Sequence, residues 1–143
     1  MDIRFLFEGD CFSLYLISYG NDEVSKFIES LGKDNPKEKG RIITRLHQLA
    51  ERGPSRRIDE FNTLGNDLYE AKTKTGSRIV FFYDVNRIVI CTCGFTKKSQ
   101  KTPRNIIDAS TVKRKAYFEA KKEDMIDIVV REGNPEPRRK PCV

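Results

Sequence analysis

Four charged side chains on two neighbouring predicted strands are the residues of this chain best suited to chemistry. Glu70, Lys72 and Lys74 are spaced two positions apart, so an extended strand places all three side chains on one face. Arg78 follows at the start of the next strand, just beyond a tight turn. Lysine and arginine at such a corner favour binding of a phosphate group, because both are cationic hydrogen-bond donors.

Further cations follow these strands along the chain. The formal net charge is +6, and residues 96–122 alone carry nine basic and two acidic side chains. A concentrated cationic segment indicates a polyanionic partner, either nucleic acid or an acidic protein. The alternative is a solvated, lysine-rich helix face that has no partner. If the partner is RNA, the candidates for contact with it are Lys74, Lys97, Lys101, Arg104, Lys113 and Arg114.

Cations can cleave RNA without a metal ion. The 2′-oxygen attacks the neighbouring phosphorus if one group removes its proton, cations stabilise the phosphate and an acid protonates the leaving 5′-oxygen. A lysine can transfer protons only if its pKa is lowered, and dense neighbouring cations lower it. Because a surface that only binds a backbone has the same composition, the residue types leave both binding and cleavage open.

Other kinds of site find little support in the sequence. His47 is the only histidine and has no predicted partner, so Ser/His/Asp catalysis is not expected. The four cysteines, at positions 11, 91, 93 and 142, have no zinc spacing and are interpreted as thiols of a reducing cytosol. We therefore predict no metal and no cofactor. The chain has no signal peptide and no apolar stretch long enough to cross a bilayer, so we expect a cytoplasmic protein.

The elements that position these residues are predicted from hydrophobic periodicity and from capping and turn signals. Asn35 followed by Pro36 is typical of a helix start, and Gly32 and Gly53 are expected helix ends. Gly94 is expected to let the chain leave the sheet. The predicted elements are strands over 3–7 and 12–19, helices over 22–31 and 36–52, strands over 68–74, 77–83 and 87–93, and a helix over 103–122.

This order of elements predicts a small α+β domain. Its sheet is an antiparallel meander with the two N-terminal helices packed on it, and a basic helix lies at the C-terminal end. We predict a domain over residues 1–123 and a C-terminal extension over 124–143 that is partly irregular. The apolar stripe predicted for the basic helix consists of Ile106, Ala109, Val112, Ala116 and Ala120.

Three short motifs and one longer run stand together in the second half of the chain. They are L-Y-E-A-K at 68–72, G-S-R-I-V-F-F-Y at 76–83, I-V-I at 88–90 and G-F-T-K-K-S-Q-K-T-P at 94–103. This series resembles the RelE/ParE toxin superfamily, and most closely its HigB-like branch, which is often labelled phage-derived. The resemblance extends over about residues 22–118, and the final run is its most specific part.

The resemblance implies the toxin of a type II toxin–antitoxin system, with a RelE-like domain. Such a toxin cleaves mRNA on the ribosome and is held inactive by an antitoxin encoded beside it. By position, Arg78 corresponds to the strand arginine that acts on the scissile phosphate, and Lys72 to a basic residue of the preceding strand. Lys98 corresponds to a residue of the basic loop, which is predicted over 95–102. The resemblance thus implies Arg78, Lys72 and Lys98 as catalytic residues. Whether the protein forms a homo-oligomer stays open.

Two other functions are compatible with the same sequence. A ParE-like toxin would inhibit DNA gyrase without cutting a nucleic acid, and the shared fold does not separate it from a nuclease. An inactive relative would only bind an antitoxin. Several ribosome-dependent relatives have a Tyr or His near the C-terminal end of the site, where this chain has Asn105 and Ile106. Tyr117 lies well along the last helix and is expected to pack rather than to react.

Overall fold

Seven strands and three helices form the part of the chain that the computed structural model describes, residues 1–18, 23–97 and 101–141. The strands are β1 (Asp2–Glu8), β2 (Ser13–Ile17), β3 (Phe61–Gly65), β4 (Leu68–Lys72), β5 (Ser77–Asp84), β6 (Ile88–Thr96) and β7 (Asp127–Val129). The helices are α1 (Glu23–Asp34), α2 (Pro36–Arg52) and α3 (Arg104–Lys122). No helix in these ranges is long and apolar enough to cross a bilayer.

All seven strands join one mixed sheet in the order β3-β4-β5-β6-β2-β1-β7. Strand β2 lies parallel to β6 and β1 lies parallel to β7, whereas the other pairs are antiparallel. The class is α+β, but the predicted antiparallel meander with two N-terminal helices packed on it is wrong. Strands β2 and β6 meet although two helices and three strands separate them in sequence, and local patterns do not encode such a non-local pairing.

The central strands are buried on both faces, which explains the unbroken apolar run at 79–83. Ile79 and Phe81 point into a core that includes residues of α1 and α2. Val80 and Phe82 point into a second core beneath α3 and the C-terminal segment. Because successive strand residues alternate between faces, the sheet divides the apolar interior into two layers.

The strands β3 and β7 were missing from the sequence-based prediction. β3 is joined to β4 by a turn in which Asn66 and Asp67 have φ angles of 53° and 63°, as a tight hairpin turn requires. Asn-Asp is a weaker hairpin signal than Asn-Gly, which is why the pattern did not reveal it. The three residues of β7 are too few to give a recognisable period, and only the parallel pairing with β1 identifies them as a strand.

Two glycines have roles other than those predicted. Gly32 lies inside α1, which ends at Asp34, so it does not end the helix. Gly94 lies inside β6, and a Cβ atom at this position would be 2.5 Å from Cδ2 of Phe27. The missing side chain therefore allows α1 to approach the sheet closely. The predicted cap is confirmed, because the Asn35 side chain accepts a hydrogen bond from a backbone N–H in the first turn of α2.

The helix α3 faces the sheet with a different stripe from the one predicted. Val112, expected to be buried, is 59% exposed. Tyr117 is fully buried, and its hydroxyl donates a hydrogen bond to Asp84 at 2.6 Å, so the expectation that it packs is confirmed. Polar side chains can be buried where they find partners, and apolar spacing does not reveal such a stripe. The buried residues of α3 are Ser110, Lys113 and Tyr117.

The residues after β7 fold back onto the β1–β2 hairpin. Nε of Arg138 lies 3.2 Å from Glu8, and Nη1 of Arg139 donates to the carbonyl of Gly9 at 3.1 Å. The hydroxyl of Tyr15 donates to the backbone carbonyl of Arg139. The division between a domain over 1–123 and an extension over 124–143 stays a prediction, although the two parts are in contact.

Candidate functional site

Lys72 of β4 and Arg78 of β5 occupy directly opposite positions of an antiparallel pair. Arg78 is also opposite Phe95 of β6. Side chains directly opposite one another lie on the same face of a sheet, with Cβ atoms about 5 Å apart. The structure thereby brings together two of the three residues predicted as catalytic, on the face that α3 covers farther along the strands.

The turn between these two residues is held by backbone hydrogen bonds. The N–H of Thr73 donates to the carbonyl of Ser77 at 3.1 Å, and the N–H of Gly76 donates to the carbonyl of Thr73 at 3.3 Å. Gly76 has a φ angle of 108°, which favours glycine. Its carbonyl accepts the N–H of Lys97 at 2.7 Å, so the start of the basic loop is attached to the same turn.

Arg78 is a buried cation that is only partly satisfied. The side chain is almost entirely buried, and its Nη1 donates to the carbonyls of Thr73 and Ser77, both at 2.9 Å. Within the described residues its Nε has no hydrogen-bond partner. Burial lowers the pKa of Arg78, against the opposing effect of Glu70 and Glu38, but a guanidinium stays protonated. An unpaired buried donor is costly, and a bound anion would supply the missing acceptor.

Lys72 is half-buried beside this guanidinium. Its Nζ donates to the carbonyl of Ile58 at 2.9 Å. Burial lowers the pKa of Lys72, and the positive charges of Arg78 and Lys97 lower it further, while Glu70 raises it. A lysine whose pKa moves toward neutrality is better suited to proton transfer than an ordinary surface lysine.

Glu70 belongs to the same face as Lys72, as predicted, but the sequence did not reveal its burial or its hydrogen-bond partner. It is buried, and its Oε2 accepts a hydrogen bond from Oγ1 of Thr102 at 2.7 Å. This contact attaches the end of the basic loop to β4, immediately before α3 begins. The signal in the sequence was the isolated acid two positions before Lys72, which only the tertiary structure connects with Thr102.

The remaining predicted cations are not all gathered at this face. β4 ends at Lys72, and the exposed Lys74 lines a groove on the side of α2, so the predicted shared face of these two lysines is wrong. Lys101 is exposed, and Arg104 forms an exposed ion pair with Asp108 at 3.1 Å. Lys98 lies outside the described residues, so its prediction as catalytic has no structural counterpart.

Lys113 and Arg114 have partners inside the protein. Nζ of the buried Lys113 donates to the carbonyl of Thr92 at 2.9 Å and lies 3.4 Å from Glu23. Arg114 lies over the ring of Phe118, 4.9 Å from its centroid, and it also pairs with an aspartate of the β3–β4 turn. The predicted contact of these two cations with RNA stays a prediction.

The opposite face of the β4–β5 turn is organised by Glu38 of α2. This carboxylate is 4% exposed and accepts hydrogen bonds from the hydroxyls of Thr73, Thr75 and Ser77, the last at 2.6 Å. Burial by itself raises the pKa of Glu38, but the hydroxyl hydrogen bonds outweigh it and lower the pKa to about 2. The turn that positions Lys72 and Arg78 is therefore attached to α2 by an ionised carboxylate.

The other candidates for chemistry lie elsewhere. Cys91 is buried, and burial raises the pKa of its thiol to about 12. The reactive thiolate form is therefore scarcely populated at neutral pH. His47 stacks on Phe7 at 3.9 Å between ring centroids, at the surface of α2. In residues 1–18, 23–97 and 101–141, no group of three or more histidine, cysteine or acidic side chains could hold a metal ion.

The sequence matches the model of one protein family. The family model described as "Phage derived protein Gp49-like (DUF891)" matches residues 28–115. The matched range includes both Lys72 and Arg78, together with the turn between them and the basic loop after β6. No curated protein matches the chain. Since the match covers more than half of the sequence, the chain belongs to the Gp49-like family of phage-derived proteins, which is a family of RelE/HigB-like toxins.

Proposed function

We propose that the protein is the toxin of a type II toxin–antitoxin system and a metal-independent endoribonuclease that cleaves mRNA on the ribosome. The observation that supports this function best is the opposed pair of Lys72 and Arg78. One member has a lowered pKa, and the other has a buried donor without a partner in the described chain. The basic run that follows β6 favours the HigB-like branch of the family.

In the proposed reaction the RNA supplies its own nucleophile. A base removes the proton of the 2′-hydroxyl, the 2′-oxygen bonds to phosphorus, and the bond from phosphorus to the 5′-oxygen breaks as that oxygen takes up a proton. The products are a 2′,3′-cyclic phosphate and a 5′-hydroxyl end. Arg78 stabilises the additional negative charge on the phosphate, and Lys72 transfers a proton. Lys98 is proposed as a third catalytic cation.

Cations that follow β6 and begin α3 are proposed to hold the RNA backbone. Because contacts to phosphates neutralise charge and release counterions, binding should weaken with rising salt concentration. A toxin of this family has a cognate antitoxin, and we propose that the antitoxin covers the face that carries Lys72 and Arg78. The cations proposed to contact the backbone of the cleaved strand are Lys97, Lys101 and Arg104.

The test is to map mRNA 5′ ends in a bacterial host shortly after induction of the protein. We expect new 5′-hydroxyl ends at positions in codon register for the wild type and for Lys115→Ala, which removes an exposed cation outside the site. In Arg78→Ala these ends should fall by about 10²- to 10³-fold, the usual cost of removing one group that stabilises a transition-state charge. Arg78→Lys retains the charge, and circular dichroism checks the fold of each variant.

Two results would contradict the nuclease, and a third would change its mechanism. Growth arrest with intact messages and an induced DNA-damage response would indicate gyrase inhibition. No growth arrest at all would indicate an inactive antitoxin-binding relative. Wild-type cleavage by folded Arg78→Ala and Arg78→Lys would remove Arg78 from the mechanism.

A further inference from the structure

A second cationic surface lies on the other face of the sheet. The helix α2 and the residues of the β4–β5 turn enclose a groove of about 730 Å³. Its charged lining residues in the described chain are all basic, and no acidic or aromatic side chain lines it there. The basic residues are Lys37, Arg41, Arg45 and Lys74.

These four cations differ in how they are held. Nε of Arg45 donates to the carbonyl of Lys72 at 2.8 Å, and Nη1 lies 3.3 Å from Glu60. Arg41 lies 3.2 Å from the carboxylate of Glu38. Both arginines are therefore fixed and partly neutralised. Lys37 and Lys74 are exposed and form no ion pair with a described residue, so they supply most of the free positive charge of the groove.

We infer that this groove binds the phosphodiester backbone of a structured RNA segment, separate from the strand that is cleaved. The inference rests on the proposed function only for the identity of the polyanion as RNA. The groove and the Lys72–Arg78 pair lie back to back, because Arg45 reaches the backbone carbonyl of the same lysine whose side chain lies on the other face. Residues of α2 pack on one face of the sheet, whereas Arg78 shares the other face with Val80, so we assign the groove to a second RNA segment.

The lining of the groove indicates which part of a polyanion it recognises. Proteins that read unpaired bases stack them on aromatic rings, and the described lining offers none. Peptides that bind in grooves insert apolar anchors, but the described lining has no large apolar side chain to receive them. Exposed lysine head groups suit phosphates of an RNA duplex, whose recognition depends on backbone and shape.

The test compares the double charge reversal Lys37→Glu/Lys74→Glu with the matched control Lys39→Glu/Lys115→Glu. All four lysines are exposed, and neither control residue lines the groove. Both test positions lie outside the hydrogen bonds of Glu38, so the turn should keep its structure. The measured quantity is the affinity of the whole protein for a blunt RNA duplex, by fluorescence anisotropy at several salt concentrations.

We expect the groove variant to bind the duplex roughly 50-fold more weakly than the control near 0.1 M salt, and its salt slope to fall by about two. Arg78→Ala should bind the duplex as the wild type does. Equal affinity and slope for the groove variant and the control would overturn the inference. The inference would also be overturned if the groove variant bound the duplex normally but were no longer neutralised by the antitoxin. That result would indicate that the groove binds an acidic segment of a protein.

The outcomes separate this inference from the proposed nuclease. Duplex binding that depends on Lys37 and Lys74 in a protein without cleavage activity would support the groove and contradict the nuclease. Cleavage that depends on Arg78, with duplex binding unaffected by Lys37→Glu/Lys74→Glu, would support the nuclease and contradict the groove.

Discussion

The β4–β5 turn carries a buried charge on each of its two faces, and the two charges are satisfied to different degrees. On the α2 face, Glu38 accepts hydrogen bonds from three hydroxyls and from Arg41. On the α3 face, Arg78 has two carbonyl partners, but its Nε has none in the described part of the chain. One carboxylate is well satisfied, and one guanidinium is not.

This difference separates a structural cluster from a functional one. A buried charge with all its partners rigidifies the backbone around it, whereas an unsatisfied buried donor costs free energy. A ligand that supplies an acceptor to such a donor removes that cost when it binds. We therefore expect substitutions of Glu38 to change mainly the free energy of unfolding, and substitutions of Lys72 and Arg78 to change mainly the activity.

The largest effect on stability is expected for Glu38→Ala. Three hydroxyl donors would lose their acceptor and the turn its attachment to α2, so the free energy of unfolding should fall by roughly 4 kcal/mol. Urea denaturation of the purified protein measures it. Glu29→Ala, at an exposed position of α1, is the control and should differ little from the wild type. If Glu38→Ala does not fold, Glu38→Gln should show a smaller loss, and equal stability of Glu38→Gln and wild type would contradict a structural role.

A somewhat smaller effect is expected from acid. The pKa of Glu38 is about 2 in the folded protein, compared with 4.5 for an ordinary glutamate. Because the unfolded chain binds the proton more tightly, the contribution of Glu38 is present above pH 4.5 and is lost as the pH falls through 2. The loss should be about 3 kcal/mol.

The pH dependence is measured as the free energy of unfolding of wild type and Glu38→Gln between pH 5 and pH 2. The other carboxyl groups are common to both proteins and cancel in the difference. A difference that stays constant over this range would contradict an ionised Glu38 with a lowered pKa.

The smallest effect on stability is expected for Lys72→Arg, which retains the charge but cannot exchange a proton at neutral pH. Its free energy of unfolding should stay within about 1 kcal/mol of the wild type, because the position is half-buried and carries a positive charge in both proteins. Cleavage, measured by the yield of new mRNA 5′ ends, should fall by about 10²-fold or more if Lys72 transfers a proton. Full cleavage by Lys72→Arg would limit Lys72 to electrostatic stabilisation.

Much of the local structure could be predicted from the sequence. The helix start at Asn35 and the end at Gly53 followed from capping signals, because caps are made by neighbouring residues. Predictions failed where a distant part of the chain decided the outcome. Gly94 was interpreted as a strand end, but its role depends on the ring of Phe27 from α1. Val112 was placed on the buried face of α3, because apolar spacing does not reveal buried polar partners.

The candidate site, like the local structure, could be predicted only in part from the sequence. Arg78 and Lys72 followed from residue type and motif, and their direct opposition follows from the register of β4 and β5. The roles of Glu70 and Glu38 did not follow, since their partners Thr102 and Ser77 are more than 30 residues away in sequence. The groove beside Lys74 was hidden for the same reason, because Lys37 of α2 meets that turn only in the folded chain.

The sequence by itself determined which residue types are available, the family, and the elements whose signals are local. The tertiary structure decided the mixed sheet, the two faces of the β4–β5 turn, and which cations are free or occupied. Lys113 illustrates the division, because its charge suggested a surface contact while the fold buries it against Thr92. The physical reason is that hydrogen bonding and desolvation depend on neighbours in space, and a linear pattern records only neighbours along the chain.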